Sequence, residues 1–326
     1  MIRLGFLGTG WIGRHRMQAI LQTGCAEAVA IAEPSPEMAA GALALAPGAA
    51  LVADLDGLIA AGIDGVVIAT PSALHAMQSI QALECGVAVF CQKPLGRTGA
   101  EVRAVVQAAQ EADRLLGVDL SYRHTDGMRQ IRDIVRSASL GTIYCVDLTF
   151  HNAYGPDKPW FYDPALSGGG CVMDLGVHLV DLALWALDFP EVAEVASELF
   201  ACGRRLQRAP SEVEDFATAT LRLANGASVR LACSWRLQAG QDAVIAAAFY
   251  GTEGGVALRN VDGSFYDFVA ERYRGTSRET LSAPPDAWGG RAAATWAVRL
   301  AAGDRYDPAS AELVAVADVL DHIYER

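Results

Sequence analysis

The chain has 326 residues, 52% of them hydrophobic and 20% charged, with a formal net charge of −12. That is length for two domains of ordinary size and apolar content for large buried cores. Residues 1–120 hold 7 basic and 11 acidic side chains and the remainder 19 and 27, so no basic stripe is left for nucleic acid or an anionic membrane, and no apolar run approaches the ~20 uncharged residues of a bilayer span.

In chain order, an apolar strand from Ile2 to Leu7 runs straight into Gly8-Thr9-Gly10-Trp11-Ile12-Gly13 and then an amphipathic stretch carrying Ile12, Ala19 and Ile20. A strand, three glycines at these offsets and a helix form the wiring for a dinucleotide pyrophosphate. The first glycine permits the tight turn and the second lets the phosphates meet bare backbone. The third lets helix and strand pack closely, and the helix's opening N–H groups face the anion. Glu33 ends a second strand twenty residues beyond Gly13. A carboxylate there accepts hydrogen bonds from the adenosine ribose and repels a 2′-phosphate, and Pro34-Ser35-Pro36-Glu37-Met38 brings no arginine. NAD is therefore expected in preference to NADP.

The same rhythm continues through Ala50–Val52, Gly65–Thr70, Val87–Cys91 and Leu115–Leu120, with helical segments between; Thr98-x-x-Glu101 is a capping box. Continuous apolar strands separated by helices predict a doubly wound parallel sheet over residues 1–120, with ligands at the carboxyl ends of its strands. Thr70-Pro71, Gln92-Lys93-Pro94 and Ser121-Tyr122-Arg123-His124 occupy such ends.

The texture changes at about residue 121. A helix over roughly 126–138 and a strand Ile143–Phe150 lead to an aromatic loop through Trp160 and Phe161, and a glycine triplet at 168–170 opens another helix. Ala217, Ala219, Leu221 and Leu223 then alternate with Thr218, Thr220 and Arg222, and Asn225-Gly226 turns the chain into Ala227–Trp235. Residues 121–326 are thus predicted to form an α+β domain around a large open, mainly antiparallel sheet. Its polar face must meet solvent or a second subunit, which suggests a homo-oligomer, dimer or tetramer.

The first strand begins at Ile2, leaving no room for a signal peptide. Seven scattered cysteines make neither a CxxC pair nor a metal-ligand spacing with histidine. Reduced thiols in a cytoplasmic protein without a metal are the expectation.

Two patterns point to chemistry. The chain has two lysines, Lys93 and Lys158, beside twenty-four arginines, and Lys93 stands at the mouth of the parallel sheet. A partly buried amine can lose its proton where a guanidinium cannot. In the helix after Gly170, Asp174 and His178 lie four residues apart on one face, and Asp181 three residues further reaches the imidazole; both acids could fix its tautomer and raise its basicity. Three ionisable groups on an otherwise apolar helix are costly without a purpose.

With these motifs the chain resembles the Gfo/Idh/MocA family of glucose-fructose oxidoreductase-like and inositol dehydrogenase-like enzymes. The matches are the N-terminal glycine motif, Val67-Ile68-Ala69-Thr70-Pro71-Ser72-x-x-His75, Lys93-Pro94 and Gly-Gly-Gly…Asp174-x-x-x-His178, in the family's order over essentially the whole chain. The resemblance implies that Thr70, Pro71 and His75 help hold the nucleotide. It implies that Lys93 contacts the nicotinamide and reacting hydroxyl, that His178 is the acid/base, and that Asp174 binds substrate or orients the histidine. Gln92 departs from the family's usual Glu-Lys-Pro, which puts the charge state of Lys93 in question.

The expected reaction is hydride transfer between NAD and a hydroxyl-bearing carbon of a sugar, cyclitol or related polyol. Arg123, and Asn152 and Trp160 of the aromatic loop, are candidate substrate contacts. The alternatives are a nucleotide-retaining glycoside hydrolase that oxidises transiently, a reductase of a non-sugar diol, enone or imine, and a sensor without turnover.

Overall fold

In the first 120 residues β-strands with no polar face alternate with helices, and that dictates parallel crossovers. The computed structural model, which describes residues 1–207 and 212–326, has them in the order β1 (Ile2–Leu7), α1 (Trp11–Leu21), β2 (Ala26–Ala32), α2 (Pro36–Leu45), β3 (Ala50–Val52), α3 (Leu55–Ala60), β4 (Gly65–Ile68), α4 (Ser72–Glu84), β5 (Ala88–Cys91), α5 (Gly99–Ala112) and β6 (Leu116–Val118). All pair in parallel, in the order β3-β2-β1-β4-β5-β6, so the chain reverses its march between β1 and β4. β4 and β5 are buried at every position. The start of α5 is half of the expected box: Thr98 accepts the Glu101 N–H at 3.1 Å, while the Glu101 carboxylate accepts from the Arg97 N–H at 2.7 Å.

The unit containing this sheet joins Met1–Ser121 to Gly290–Val314. The returning helix, Arg291–Ala301, buries Ala293, Trp296 and Ala297. Trp296 packs with its ring centroid 5.7 Å from that of Phe90, and a Cβ on Gly117 would come 2.7 Å from the indole. Glycine in β6 is what admits the tryptophan.

The second unit, Tyr122–Gly289 with Ala315–Arg326, contains α6 (Asp126–Arg136), β7 (Ile143–Asn152), α7 (Pro164–Ser167), a π-helical turn (Val172–Gly176), α8 (Val177–Ala186), β8 (Val192–Ala201), β9 (Arg204–Arg205), β10 (Phe216–Leu223), β11 (Ser228–Ser234), β12 (Ala243–Gly251), β13 (Gly254–Asn260), β14 (Phe268–Arg274) and β15 (Ser277–Ser282). Its described residues build one nine-stranded sheet, β15-β14-β13-β12-β7-β11-β10-β8-β9, antiparallel except where β7 lies parallel to β11. The β10–β11 hairpin turns at Asn225-Gly226, where Gly226 takes φ +88° and Asn225 Oδ1 accepts the Ala227 N–H at 3.1 Å. Ala217, Ala219, Leu221 and Leu223 face the core with Val180, Leu184 and Phe249, while Thr220 and Arg222 are exposed. By length and apolarity the stretch Pro164–Ala186 could cross a bilayer, but 89% of its most apolar 18-residue window is buried inside the fold, as the central helix of this core.

Candidate active site

Each glycine of the first turn has its own reason in the structure. Gly8 takes φ +84°, and a Cβ there would strike the Ala69 carbonyl. A Cβ on Gly13 would strike the Gly8 carbonyl, so α1 lies against the turn only because position 13 is bare. Around Gly10, by contrast, nothing lies within 4 Å of a Cβ. Gly10 caps α1 and, among the described residues, no side chain caps the helix. An open backbone at an uncapped helix N-terminus is what a pyrophosphate requires, so the residues fit the nucleotide. Trp11 is 60% exposed and stacks on His15, with centroids 6.0 Å apart, and Ile12 is half-buried.

Glu33 lies at the end of β2, folded back over this turn: one carboxylate oxygen accepts the Thr9 N–H at 2.6 Å and the other the Ser35 N–H at 3.0 Å. His75, 2% exposed near the start of α4, has Nε2 2.7 Å from the Thr70 carbonyl and Nδ1 2.7 Å from the Pro94 carbonyl. It therefore ties the loop after β4, carrying Thr70 and Pro71, to the loop after β5, carrying Lys93 and Pro94. Burial pushes the His75 pKa down and the nearby Lys93 adds to that, against the two carbonyls, which favour the charged ring.

In the second unit the glycine triplet is built for a carboxylate that the sequence did not advertise. Glu214, fully buried ahead of β10, accepts the Gly170 N–H at 2.9 Å and the Val172 N–H at 2.8 Å, and the Tyr324 hydroxyl at 2.8 Å. A side chain on Gly170 would collide with the Glu214 backbone, and one on Gly169 with the Tyr324 hydroxyl. Glu214 thus satisfies the orphan donors at the start of the helix that carries Asp174 and His178. That helix opens with the π turn Val172–Gly176, so Asp174 sits on a widened turn of the kind frequent at functional sites.

Asp174 is half-buried and accepts a hydrogen bond from the Trp235 indole N–H at 3.1 Å. Trp235 leads into the aromatic loop: Phe161 and Tyr162 meet it edge-on at 6.3 and 5.7 Å, and Trp160 stacks on Phe161 at 3.8 Å. The His178 ring is 6% exposed, with the Tyr122 ring edge-on at 4.9 Å and Phe150 at 6.4 Å. Asn152 closes β7, its side-chain oxygen buried and accepting no hydrogen bond among the described residues.

Asp181 is the acceptor for an arginine that the helical spacing did not announce. Both its oxygens receive the Arg123 guanidinium, at 2.5–3.0 Å, and that guanidinium lies 5.6 Å from the Trp185 ring centroid and 5.5 Å from that of Phe189. Burial raises the Asp181 pKa and Arg123 opposes it. Arg123, a candidate substrate contact, forms this ion pair one turn beyond His178. Trp235 and Glu214 were missed in the sequence, where a tryptophan closing an alternating strand was the one mark either carried; Tyr122 was marked only by its place in Ser121–His124, at a strand end.

Residues 2–120 match the family described as "Oxidoreductase family, NAD-binding Rossmann fold", and residues 128–257 match the "GFO/IDH/MocA C-terminal domain". A D-glucoside 3-dehydrogenase of Escherichia coli (strain K12) is 30% identical over 62% of this chain and 60% of its own length. An inositol 2-dehydrogenase of Leifsonia xyli subsp. xyli (strain CTCB07) is 31% identical over 76% of this chain and 70% of its own. The solved structure of a levoglucosan dehydrogenase with NADH and levoglucosan superposes with a TM-score of 0.83 at 24% identity, over 99% of this chain and 96% of that one. At that identity the likeness speaks for the fold alone, and the fold is the one described above. With both halves of the pattern matched in order, the chain belongs to the Gfo/Idh/MocA family of oxidoreductases.

Proposed function

We propose that the protein is an NAD-dependent dehydrogenase of a sugar, cyclitol or related polyol. The observation that carries this reading is a buried imidazole, His178, walled by Tyr122 and Phe150 on a helix that also presents an indole-anchored carboxylate, Asp174. The other unit of the same chain holds a nucleotide turn. Gly8, Gly10, Trp11, Ile12 and Gly13 would hold the pyrophosphate side and Glu33 the ribose. Thr70, Pro71 and Lys93-Pro94 would line the nicotinamide side, with His75 helping to hold the nucleotide by tying their two loops together. Bound NAD supplies the hydride acceptor.

His178 takes the proton of the substrate hydroxyl, and Lys93 polarises the same oxygen with its ammonium. Asp174, held by Trp235, receives a neighbouring hydroxyl and sets which carbon faces the acceptor. Asn152 and Trp160 offer a polar atom and a flat ring to a polyhydroxylated ligand. The Glu33 carboxylate supports NAD over NADP, because a 2′-phosphate there would meet a like charge. Relatives named for glucoside, inositol and levoglucosan oxidation support a polyol as the substrate class. The nine-stranded sheet exposes polar residues such as Thr220, Arg222 and Arg230 on one face, and a homo-oligomer through that face is part of the proposal, with sedimentation as its check.

The test is a panel of aldoses, inositols and sugar acids with NAD and NADP, followed by nicotinamide absorbance, on the parent and on His178→Ala. General acid–base catalysis contributes about 10²–10⁴ in rate, so the variant is expected to lose about that much turnover while binding NADH as before. Unchanged turnover would remove His178 from the mechanism. Tight NADH binding without reduction by any polyol would remove the dehydrogenase reading.

A further inference from the structure

Three polar side chains far apart in sequence meet at the carboxyl end of the parallel sheet. Beyond Cys91 and Val118 the ladder runs on, with the Gln92 N–H donating to the Ile68 carbonyl at 2.9 Å and the Asp119 N–H to the Cys91 carbonyl at 3.0 Å. That places Gln92 and Asp119 side by side on adjacent strands. The Gln92 amide donates to Asp119 Oδ2 at 2.6 Å, and Arg16 Nε, from α1, donates to the same oxygen at 2.6 Å. Asp119 is 1% exposed, Arg16 6% and Gln92 7%, and Asp119 Oδ1 accepts no hydrogen bond among the described residues. A buried ion pair is a poor stabiliser beside apolar packing of the same volume, so its place under the residue preceding Lys93 asks for another reason.

We propose that Asp119 is a positioning residue for Lys93: through Gln92 it fixes the backbone from which the lysine departs, and with Arg16 it sets the charge around that amine. This rests on the reading of Lys93 as the amine that meets substrate. It also explains the glutamine. A glutamate at position 92 would bring two carboxylates within 2.6 Å, where both cannot ionise, whereas an amide donor is the complement of a carboxylate acceptor. The negative charge expected just before the lysine therefore stands one strand over. The charged and titratable groups facing this carboxylate are His15 and Arg16 from α1 and Cys91 from β5, with Lys93 and His75 beyond Gln92.

The test compares Asp119→Asn, Gln92→Glu and the double exchange Gln92→Glu/Asp119→Asn with the parent. Because the chain has two lysines, acylation of Lys93 by an amine reagent can be followed by mass spectrometry against Lys158 as an internal standard, whether or not a substrate is known. Asp119→Asn strips the buried Arg16 of its counter-charge, and Lys93 is expected to acylate roughly five- to tenfold faster, with kcat falling more than KM changes. The double exchange restores one donor facing one carboxylate, and is expected to return acylation and kcat to within about threefold of the parent. Parent-like acylation in Asp119→Asn overturns the proposal, as does a double variant no better than the worse single one. If Asp119→Asn does not fold, the double variant against Gln92→Glu decides alone. If no polyol is oxidised by the parent, the dehydrogenase reading fails while the acylation comparison still judges Asp119.

Discussion

Replacing Glu214 tests the claim that one buried carboxylate holds the start of the His178 helix. In Glu214→Ala the Gly170 and Val172 N–H groups and the Tyr324 hydroxyl, which the carboxylate now accepts at 2.8–2.9 Å, lose their acceptor where no water reaches. An unsatisfied buried donor costs about 1–3 kcal/mol, partly offset because a fully desolvated carboxylate is itself unfavourable. A net loss of about 4 kcal/mol is expected, which for a chain of 326 residues is a drop in Tm of about 6 °C. Glu214→Gln keeps the oxygen facing Val172 and Tyr324 but turns an NH2 toward the Gly170 N–H, so about 1.5 kcal/mol is expected. Burial raises the Glu214 pKa, so the parent's native state holds this proton more tightly than the unfolded chain does. The resulting penalty is absent below the ordinary value of 4.5 and grows as pH rises through it toward the folded value; Glu214→Gln should remove that slope. Thermal and urea denaturation followed by circular dichroism over a pH series provides the assay. A Glu214→Ala variant within 1 kcal/mol of the parent, or one no weaker than Glu214→Gln, would refute the reasoning.

Trp235→Phe keeps an aromatic ring, though a smaller one, and removes the indole N–H that Asp174 accepts; KM for the polyol is expected to rise about three- to tenfold with kcat less affected, by steady-state kinetics. His75, held below its ordinary 6.5 chiefly by burial, contributes stability that is complete above that pH and is lost as pH falls toward the folded value. His75→Gln should flatten the acid limb of the urea-midpoint profile, and an unchanged limb would show that another group carries it. With a maleimide at neutral pH, exposed Cys85 and Cys202 are expected to react first, and buried Cys91, Cys171 and Cys233 only on unfolding, as peptide mapping would show.

The parts of this molecule that repeat were the parts legible in the sequence. Six apolar runs, three glycines with a helix behind them and one strict alternation around Asn225-Gly226 each bear a local mark, and each appears where that mark puts it. What was not legible depends on single contacts between distant residues. Glu214 and Gly170 are 44 positions apart, Trp235 and Asp174 61, Arg16 and Asp119 103, and no periodicity links such pairs. Asp181 shows the limit from the other side. Helical spacing placed it near His178, and nothing in that spacing announced Arg123, 58 residues upstream, which offers two donors to the carboxylate. The π turn is unmarked because a widened turn changes one hydrogen bond and no composition.

The tryptophan that covers Phe90 and Gly117 arrives nearly two hundred residues after them. A ribosome releasing this chain from its N-terminus therefore exports a nucleotide sheet with one apolar flank bare until Arg291–Ala301 has emerged. A fragment ending near residue 120 would keep that wound permanently, and its expected fate is aggregation rather than coenzyme binding.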